Sequence, residues 1–320
     1  MTFLPNIFVA IALWLTSFAV LLDNGDGNGG CHNEKSSSFF KNFCDWSSEY
    51  SLSNYNDTLL ICNESTPNLK SYSGQMLGRN FFLLGNSVTR HYSFNIKYLL
   101  DEKLGNFSVK LSRQEEKQRC RTMLGTNSCK HIVSGSSTNI EFMWMNVIGE
   151  KSDFADKNDI CYGVETTEKC LQEKFKHANN TDVLIVSSPI VNSSHSDKRY
   201  GFTKRLYENI RSSQNSFESA KLSAHRILDL LIRVFPGAIV WLPYPHIGYP
   251  EYNATISEMI ENSNAFVKLT IESYCSERIR FFNTYPLLRS SFHLYSDSIH
   301  HPGLLSDMVV LAIFSALKPL

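Results

Sequence analysis

Two short stretches near opposite ends of a 320-residue chain hold side chains able to do covalent chemistry. The first is Gly85-Asn86-Ser87-Val88-Thr89-Arg90-His91. A glycine at the turn permits a backbone path that a side chain would block. A serine placed next, at a helix N-terminus, has free backbone N–H groups and the positive end of the helix dipole beside its hydroxyl. Such groups stabilise the negative charge that forms on an acyl carbonyl oxygen under attack. The plainer reading is that Ser87 only caps the helix, where serine is among the favoured residues. G-x-S is also frequent by chance, and Gly135-Ser136-Ser137 matches it too.

The second stretch is Ser296-Asp297-Ser298-Ile299-His300-His301-Pro302-Gly303, which contains the one D-x-x-H of the chain. On a single turn, that spacing lets the Asp297 carboxylate accept from one imidazole nitrogen of His300 while the other faces a nucleophile. His301 is the rival base, at a spacing from Asp297 that fits less well. An Asp and a His near a helix start can also be a cap and a surface imidazole. Metal binding by His293, His300 and His301 lacks the carboxylate or cysteine that would complete a familiar site, and no cofactor is implied.

Alternating strands and helices must bring these stretches together. Short apolar runs at Asn80–Leu84, Asn139–Met145, Val183–Val186, Ala238–Leu242 and Ile279–Phe282 read as five strands. Helical spacing of apolar residues marks Val88–Leu100, Phe217–Val234, Ile256–Tyr274 and Leu304–Leu317. Strands alternating with long helices imply an α/β fold, a mainly parallel five-stranded sheet covered on both faces. In such sheets ligands bind outside the carboxyl ends of the strands. Ser87 falls just after the first strand, and His300 falls between the last strand and the last helix.

Taken together, the two stretches resemble the SGNH/GDSL hydrolases, most closely the PC-esterase branch with its trichome-birefringence-like and related polysaccharide O-acetyltransferases. Phe81–Tyr92 (FFLLGNSVTRHY) is similar to that branch's first block, including an arginine three residues after the serine, here Arg90. Asp182–Val186 (DVLIV) and Ile239–His246 (IVWLPYPH) resemble later strands of the family. The resemblance runs from about Gly78 to Leu320. It implies a three-layer α/β/α fold, with Ser87 as nucleophile, His300 as general base, Asp297 as its orienter and Arg90 as a substrate contact. Two departures stand out. Asn86 replaces the family's usual Asp, and the oxyanion positions are not cleanly matched: Ser188, Asn192 and Gly149 are the candidates. Each lost oxyanion donor costs ~10²–10³ in rate.

The implied activity is esterase or O-acetyltransferase chemistry, with O-acetylated glycans or other small O-acylated molecules as substrates. The competing class is a glycan-binding protein that keeps the fold without turnover; the presence together of Ser87, Asp297 and His300 favours the enzyme. Tyr244, His246, Tyr249 and Tyr252 form either a sugar-stacking rim or a packed aromatic loop.

Composition sets the outer bounds. Lys+Arg and Asp+Glu balance at 31 each, which argues against nucleic acid as a partner, since that needs a basic face. Phe3–Leu22 carries no charge and reads as a signal peptide or a membrane anchor. Residues 23–78 then form a linker (DNGDGNGG) and an irregular, cysteine-containing segment tied by disulfides, ahead of a catalytic domain over residues 79–320. The eight cysteines include no CxxC pair, and the leader makes them disulfide formers. Cys120/Cys129 and Cys161/Cys170 are each nine residues apart, although spacing does not fix connectivity. Six sequons, at Asn56, Asn63, Asn106, Asn179, Asn192 and Asn253, agree with a glycoprotein of the secretory pathway, secreted or anchored with its domain in the lumen.

Overall fold

The chain divides into two compact units, Met1–Glu34 and Lys35–Leu320. A computed structural model describes residues 60–61, 64–65, 69–103, 128–133, 135–145, 159–187, 214–245, 254–274, 276–290, 300 and 304–318, all in the second unit. A two-residue hairpin, β1 (Leu60–Ile61) with β2 (Glu64–Ser65), and a 3-10 helix (Leu69–Met76) come first. The alternating part comes next. It comprises β3 (Phe81–Gly85), α1 (Ser87–Lys103), β4 (Cys129–Ile132), β5 (Asn139–Trp144), α2 (Thr167–Lys174) and β6 (Val183–Ser187). It continues through α3 (Gln214–Val234), β7 (Ala238–Trp241), α4 (Ala254–Tyr274), β8 (Ile279–Phe281), α5 (Tyr285–Ser290) and α6 (Leu304–Ala316).

The main sheet has the order β4-β5-β3-β6-β7-β8. Its five expected strands are all present and all parallel. A sixth, β4, adds antiparallel to β5 at one edge. Periodicity hides β4 because CKHI is short and its Ile132 is 63% exposed, so no buried apolar run marks it.

Each central strand alternates its side chains between two cores, as pleated backbone requires. Phe81, Leu83, Val183, Ile185, Ala238 and Val240 pack with α1, α6 and the 3-10 helix's Met76. Phe82, Leu84, Leu184, Val186, Ile239 and Trp241 pack against α2, α3 and α4. The result is a three-layer α/β/α arrangement with a sheet buried on both faces, which is why β3, β6 and β7 read as unbroken apolar runs. Met76 is fully buried, so the core takes in chain from before residue 79.

Cys161 and Cys170 form a disulfide with Cα atoms 5.5 Å apart, joining the turn before α2 to α2 itself inside the second core. Cys129 is also disulfide-bonded, and none of the described cysteines is free. Cys31, Cys44, Cys62, Cys120 and Cys275 lie outside the described residues. Among the described residues no helix is long and apolar enough to cross a membrane; Phe3–Leu22 is not among them.

A buried polar cluster locks the amino ends of the central strands. Asp182, fully buried, accepts from the Asn80 N–H at 2.9 Å, the Asn80 side-chain amide at 3.1 Å and the Asn179 N–H at 3.0 Å. Asn80 Oδ1 in turn accepts from the Asn139 N–H at 3.1 Å, tying β5 in. Arg79 donates to the carbonyls of Thr181 and Lys318, anchoring the end of the chain after α6. Burial pulls the Arg79 pKa down while the Asp182 carboxylate pushes it back up. Gly237 lets β7 approach closely, since a Cβ there would sit 2.1 Å from the Asp182 carbonyl oxygen.

Candidate active site

Numbered by their place along the chain, the five parallel strands run 2-1-3-4-5 across the sheet. The order reverses between β3 and β6, and a crevice at their carboxyl ends is where such folds bind ligands. Gly85 and Ser187 face each other across that point.

The turn after β3 is tight because Gly85 makes room for it. A Cβ at Gly85 would lie 2.2 Å from Thr89 Oγ1 and 2.7 Å from the Ser187 carbonyl oxygen. Thr89 Oγ1 also donates to that Ser187 carbonyl, at 3.4 Å, fixing the first turn of α1 to the end of β6. The Met145 N–H donates to the Gly85 carbonyl at 2.9 Å, which holds the end of β5 on the other side.

The helix cap is Asn86. Its side-chain Oδ1 accepts from the Val88 N–H at 2.9 Å, and its carbonyl accepts from the Arg90 N–H at 3.0 Å. Those are the two bonds that define an N-cap. Ser87 therefore stands at the first helical position with its hydroxyl not spent on capping. The residue that departs from the family pattern thus has a defined structural task, which an Asp would perform equally.

Ser87 Oγ lies 2.7 Å from His300 Nε2. The two residues are 213 positions apart, and both are half-buried. The contact results from the packing of α1 on α6, the helix that begins four residues after His300. Val88 and Tyr92 of α1 share a core with Leu305 and Val309 of α6. The Asn95 side-chain amide of α1 also donates to the Asp307 carboxylate of α6.

Two residues here escape a reading based on spacing alone. His91 is one turn beyond Ser87 on α1, so both point the same way. Its buried ring meets the His300 ring edge-on, centroids 5.4 Å apart and planes at 70°. Trp144 ends β5 opposite Gly85, with the Arg90 guanidinium 5.9 Å over its ring. Trp144 Nε1 is buried with no hydrogen-bond partner among the described residues. The signals that could have found them are the i, i+4 relation to Ser87 and the position at a strand's carboxyl end.

Of the remaining candidates, Asp297, Ser188, Asn192 and Gly149 lie outside the described residues, as do His293 and His301. Among the described residues no three His, Cys, Asp or Glu side chains come together as a metal site would need. Tyr244 is half-buried, and burial raises its phenol pKa. Its N–H donates to Asn264 Oδ1 at 2.8 Å, and its carbonyl accepts from the same amide at 3.1 Å, so α4 clamps the loop after β7. His246, Tyr249 and Tyr252 lie outside the described residues. Asn179 is exposed in a turn where its Oδ1 accepts from the Thr181 N–H at 2.8 Å. The other five sequon asparagines are outside the described residues.

No protein-family model matches the chain, and no curated protein sequence matches it. Among solved structures, it is similar to a catalytic mutant of an acetylxylan esterase from Geobacillus stearothermophilus. That likeness has a TM-score of 0.36 at 9% identity, covering 74% of this chain and 93% of that one. A second mutant, described as an acetyl-xylooligosaccharide esterase from the same organism, gives the same values. An extracellular lipase from Streptomyces rimosus has a TM-score of 0.31 and 11% identity, covering 70% of this chain and 86% of that one. Likenesses this distant assign no chemistry.

Proposed function

We propose that the protein carries out serine-dependent acyl-ester chemistry, with Ser87 as nucleophile and His300 as general base. The observation that carries this is the 2.7 Å contact between Ser87 Oγ and His300 Nε2, made by a serine whose capping duty Asn86 has taken over. A serine hydroxyl is a weak nucleophile until a base within hydrogen-bond reach accepts its proton. With Nδ1 protonated, His300 Nε2 accepts that proton as Oγ attacks the ester carbonyl. The imidazolium then returns it to the departing alcohol oxygen. The acyl-serine passes its group to water, giving an esterase, or to a sugar hydroxyl, giving an O-acyltransferase.

Asp297 is assigned to Nδ1 of His300, three residues after it, to hold the productive tautomer. Because Asn86 takes the Val88 N–H, the Ser87 N–H is the first-turn donor assigned to the developing oxyanion. Ser188, Asn192 and Gly149 remain the candidates for further donors. Arg90, held over Trp144, is the proposed substrate contact at the rim. The resemblance to glycan O-acetyltransferases, together with the leader and the sequons, supports acetylated glycans in the secretory pathway as substrates.

The test is acetate release from acetylated oligosaccharides and from a simple aryl acetate, with and without acceptor sugars. Ser87→Ala is expected to lower turnover by about 10³-fold or more while leaving the fold intact. Turnover that survives in Ser87→Ala, or folded wild-type protein without turnover on any acyl ester, would overturn the assignment.

A further inference from the structure

His91 is a buried, titratable side chain that proton transfer between Ser87 and His300 does not use. It stands one helical turn beyond Ser87 on α1 and is 6% exposed. Its ring meets the His300 ring edge-on, centroids 5.4 Å apart and planes at 70°, an arrangement in which aromatic rings attract one another. One further turn along α1, the buried Asn95 side-chain amide donates to Asp307 in the first turn of α6. Ser87, His91 and Asn95 are thus spaced i, i+4 and i+8, one stripe of α1 laid along the start of α6.

A general base must be aimed as well as near. The hydrogen bond at Nε2 fixes one point of the His300 imidazole and leaves the ring free to pivot on it. Pivoting carries Nε2 off the line of the departing proton, and hydrogen bonds weaken steeply as they bend. A second ring packed at this distance and angle opposes the pivot, because turning either ring drives it into the other. Asp297 is assigned to the proton on Nδ1, which sets the tautomer; the His91 ring bears on the orientation.

The opposing ring belongs to the helix that carries the nucleophile. Four residues of α-helix rise about 6 Å and are held by the helix's own hydrogen bonds, so the backbone spacing from Ser87 to His91 is fixed. His300, 213 positions away in sequence, is therefore oriented by the same rigid element as Ser87. The Asn95–Asp307 bond and the packing of Val88 and Tyr92 on Leu305 and Val309 keep α6 from sliding along that element.

We infer that His91 is a positioning residue for the reaction proposed above: its ring holds the His300 imidazole on the Ser87 hydroxyl. The role rests on the ester reading for its use, and on ring packing for its action. No bond is made or broken at His91; the proton moves only between Ser87 Oγ, His300 Nε2 and the leaving oxygen.

The experiment compares full-length wild type, His91→Ala, His91→Gln and His91→Phe at equal folded concentration. The Ala variant removes the ring, the Gln variant keeps a polar end without a ring, and the Phe variant keeps a ring without its nitrogens. Fluorophosphonate labelling of Ser87 is followed over a range of probe concentrations. His91→Ala and His91→Gln should each lower the maximal labelling rate by about tenfold, the scale on which a lost aromatic contact and a misaimed group act. The probe concentration at half-maximal rate should not change, since the ring aims the base and does not hold the probe. His91→Phe should recover the rate to within about threefold of wild type. A purely structural His91 would alter the folded yield and leave the rate per folded molecule alone. Should His91→Ala not fold, His91→Gln carries the same comparison.

Crystal structures of these proteins give a readout that needs no reaction. His300 Nε2 should lie within hydrogen-bond reach of Ser87 Oγ in wild type and His91→Phe, and outside it in His91→Ala and His91→Gln. Undiminished labelling in the Ala and Gln variants, an equal loss in His91→Phe, or an unmoved His300 in the crystals overturns the positioning role and leaves the ester reading standing. Wild type that stays unlabelled, while His300 leaves Ser87 in His91→Ala and returns in His91→Phe, sinks the ester reading alone.

Discussion

At the amino ends of β3 and β6, the Asp182 carboxylate accepts three hydrogen bonds from Asn80 and Asn179, and Asn80 passes the connection on to Asn139. At the carboxyl ends of the same two strands, Ser87 and His300 meet in one contact, both half-buried. Both clusters are polar groups packed against an apolar sheet. The first is closed: Asp182 is fully buried and bonded within the protein, so it locks strand ends and has little left for a ligand. The second is built so that its neighbours absorb the structural work. Asn86 caps the helix, Gly85 makes room for the turn and Thr89 ties it to β6, leaving the Ser87 hydroxyl to face a base. A saturated polar cluster reads as architecture, and one relieved of architectural duty reads as chemistry.

Substitutions on either side can break this contrast. Asp182→Ala should have the largest effect on stability, about 3–5 kcal/mol in denaturant unfolding, because it strands buried N–H groups and the neighbouring Arg79. The folded fraction should still react at Ser87; selective loss of reactivity in folded protein would mean the two ends are not separate. Gly85→Ala comes next, at about 1–3 kcal/mol for forcing a methyl into an occupied space. It should also lower reactivity per folded molecule, because the turn that aims Ser87 must shift. Asn86→Ala should cost about 1 kcal/mol as a lost cap, while Asn86→Asp should be close to neutral. Ser87→Ala should change stability by less than about 0.5 kcal/mol. A cap-sized loss there would show that Ser87 is needed for structure after all.

Much of this architecture is legible in the order of residues alone. The five parallel strands stand out because burial on both faces makes them continuous apolar runs, as in Phe81–Leu84 and Val183–Val186. Ser87 and His300 stand out because each falls at a chain position where α/β sheets expose side chains to a crevice. Three things are not legible. β4 is an edge strand with little apolar content, so nothing in CKHI separates it from a loop. The division of labour between Asn86 and Ser87 depends on which side chain reaches the Val88 N–H, and serine and asparagine are both good caps. His91 meets His300 only because α1 packs on α6, a long-range event with no local signature.

The most direct test exposes the folded, full-length protein to a fluorophosphonate probe, which reports an activated serine, and identifies the modified residue by mass spectrometry. Wild type, Ser87→Ala and His300→Ala are compared at equal folded concentration. Labelling at Ser87 in wild type, absent in Ser87→Ala and reduced by about 10³-fold in His300→Ala, is the expected result. Folded wild-type protein that stays unlabelled, or that labels at Ser87 equally well without His300, would contradict the assignment of a nucleophile and its base.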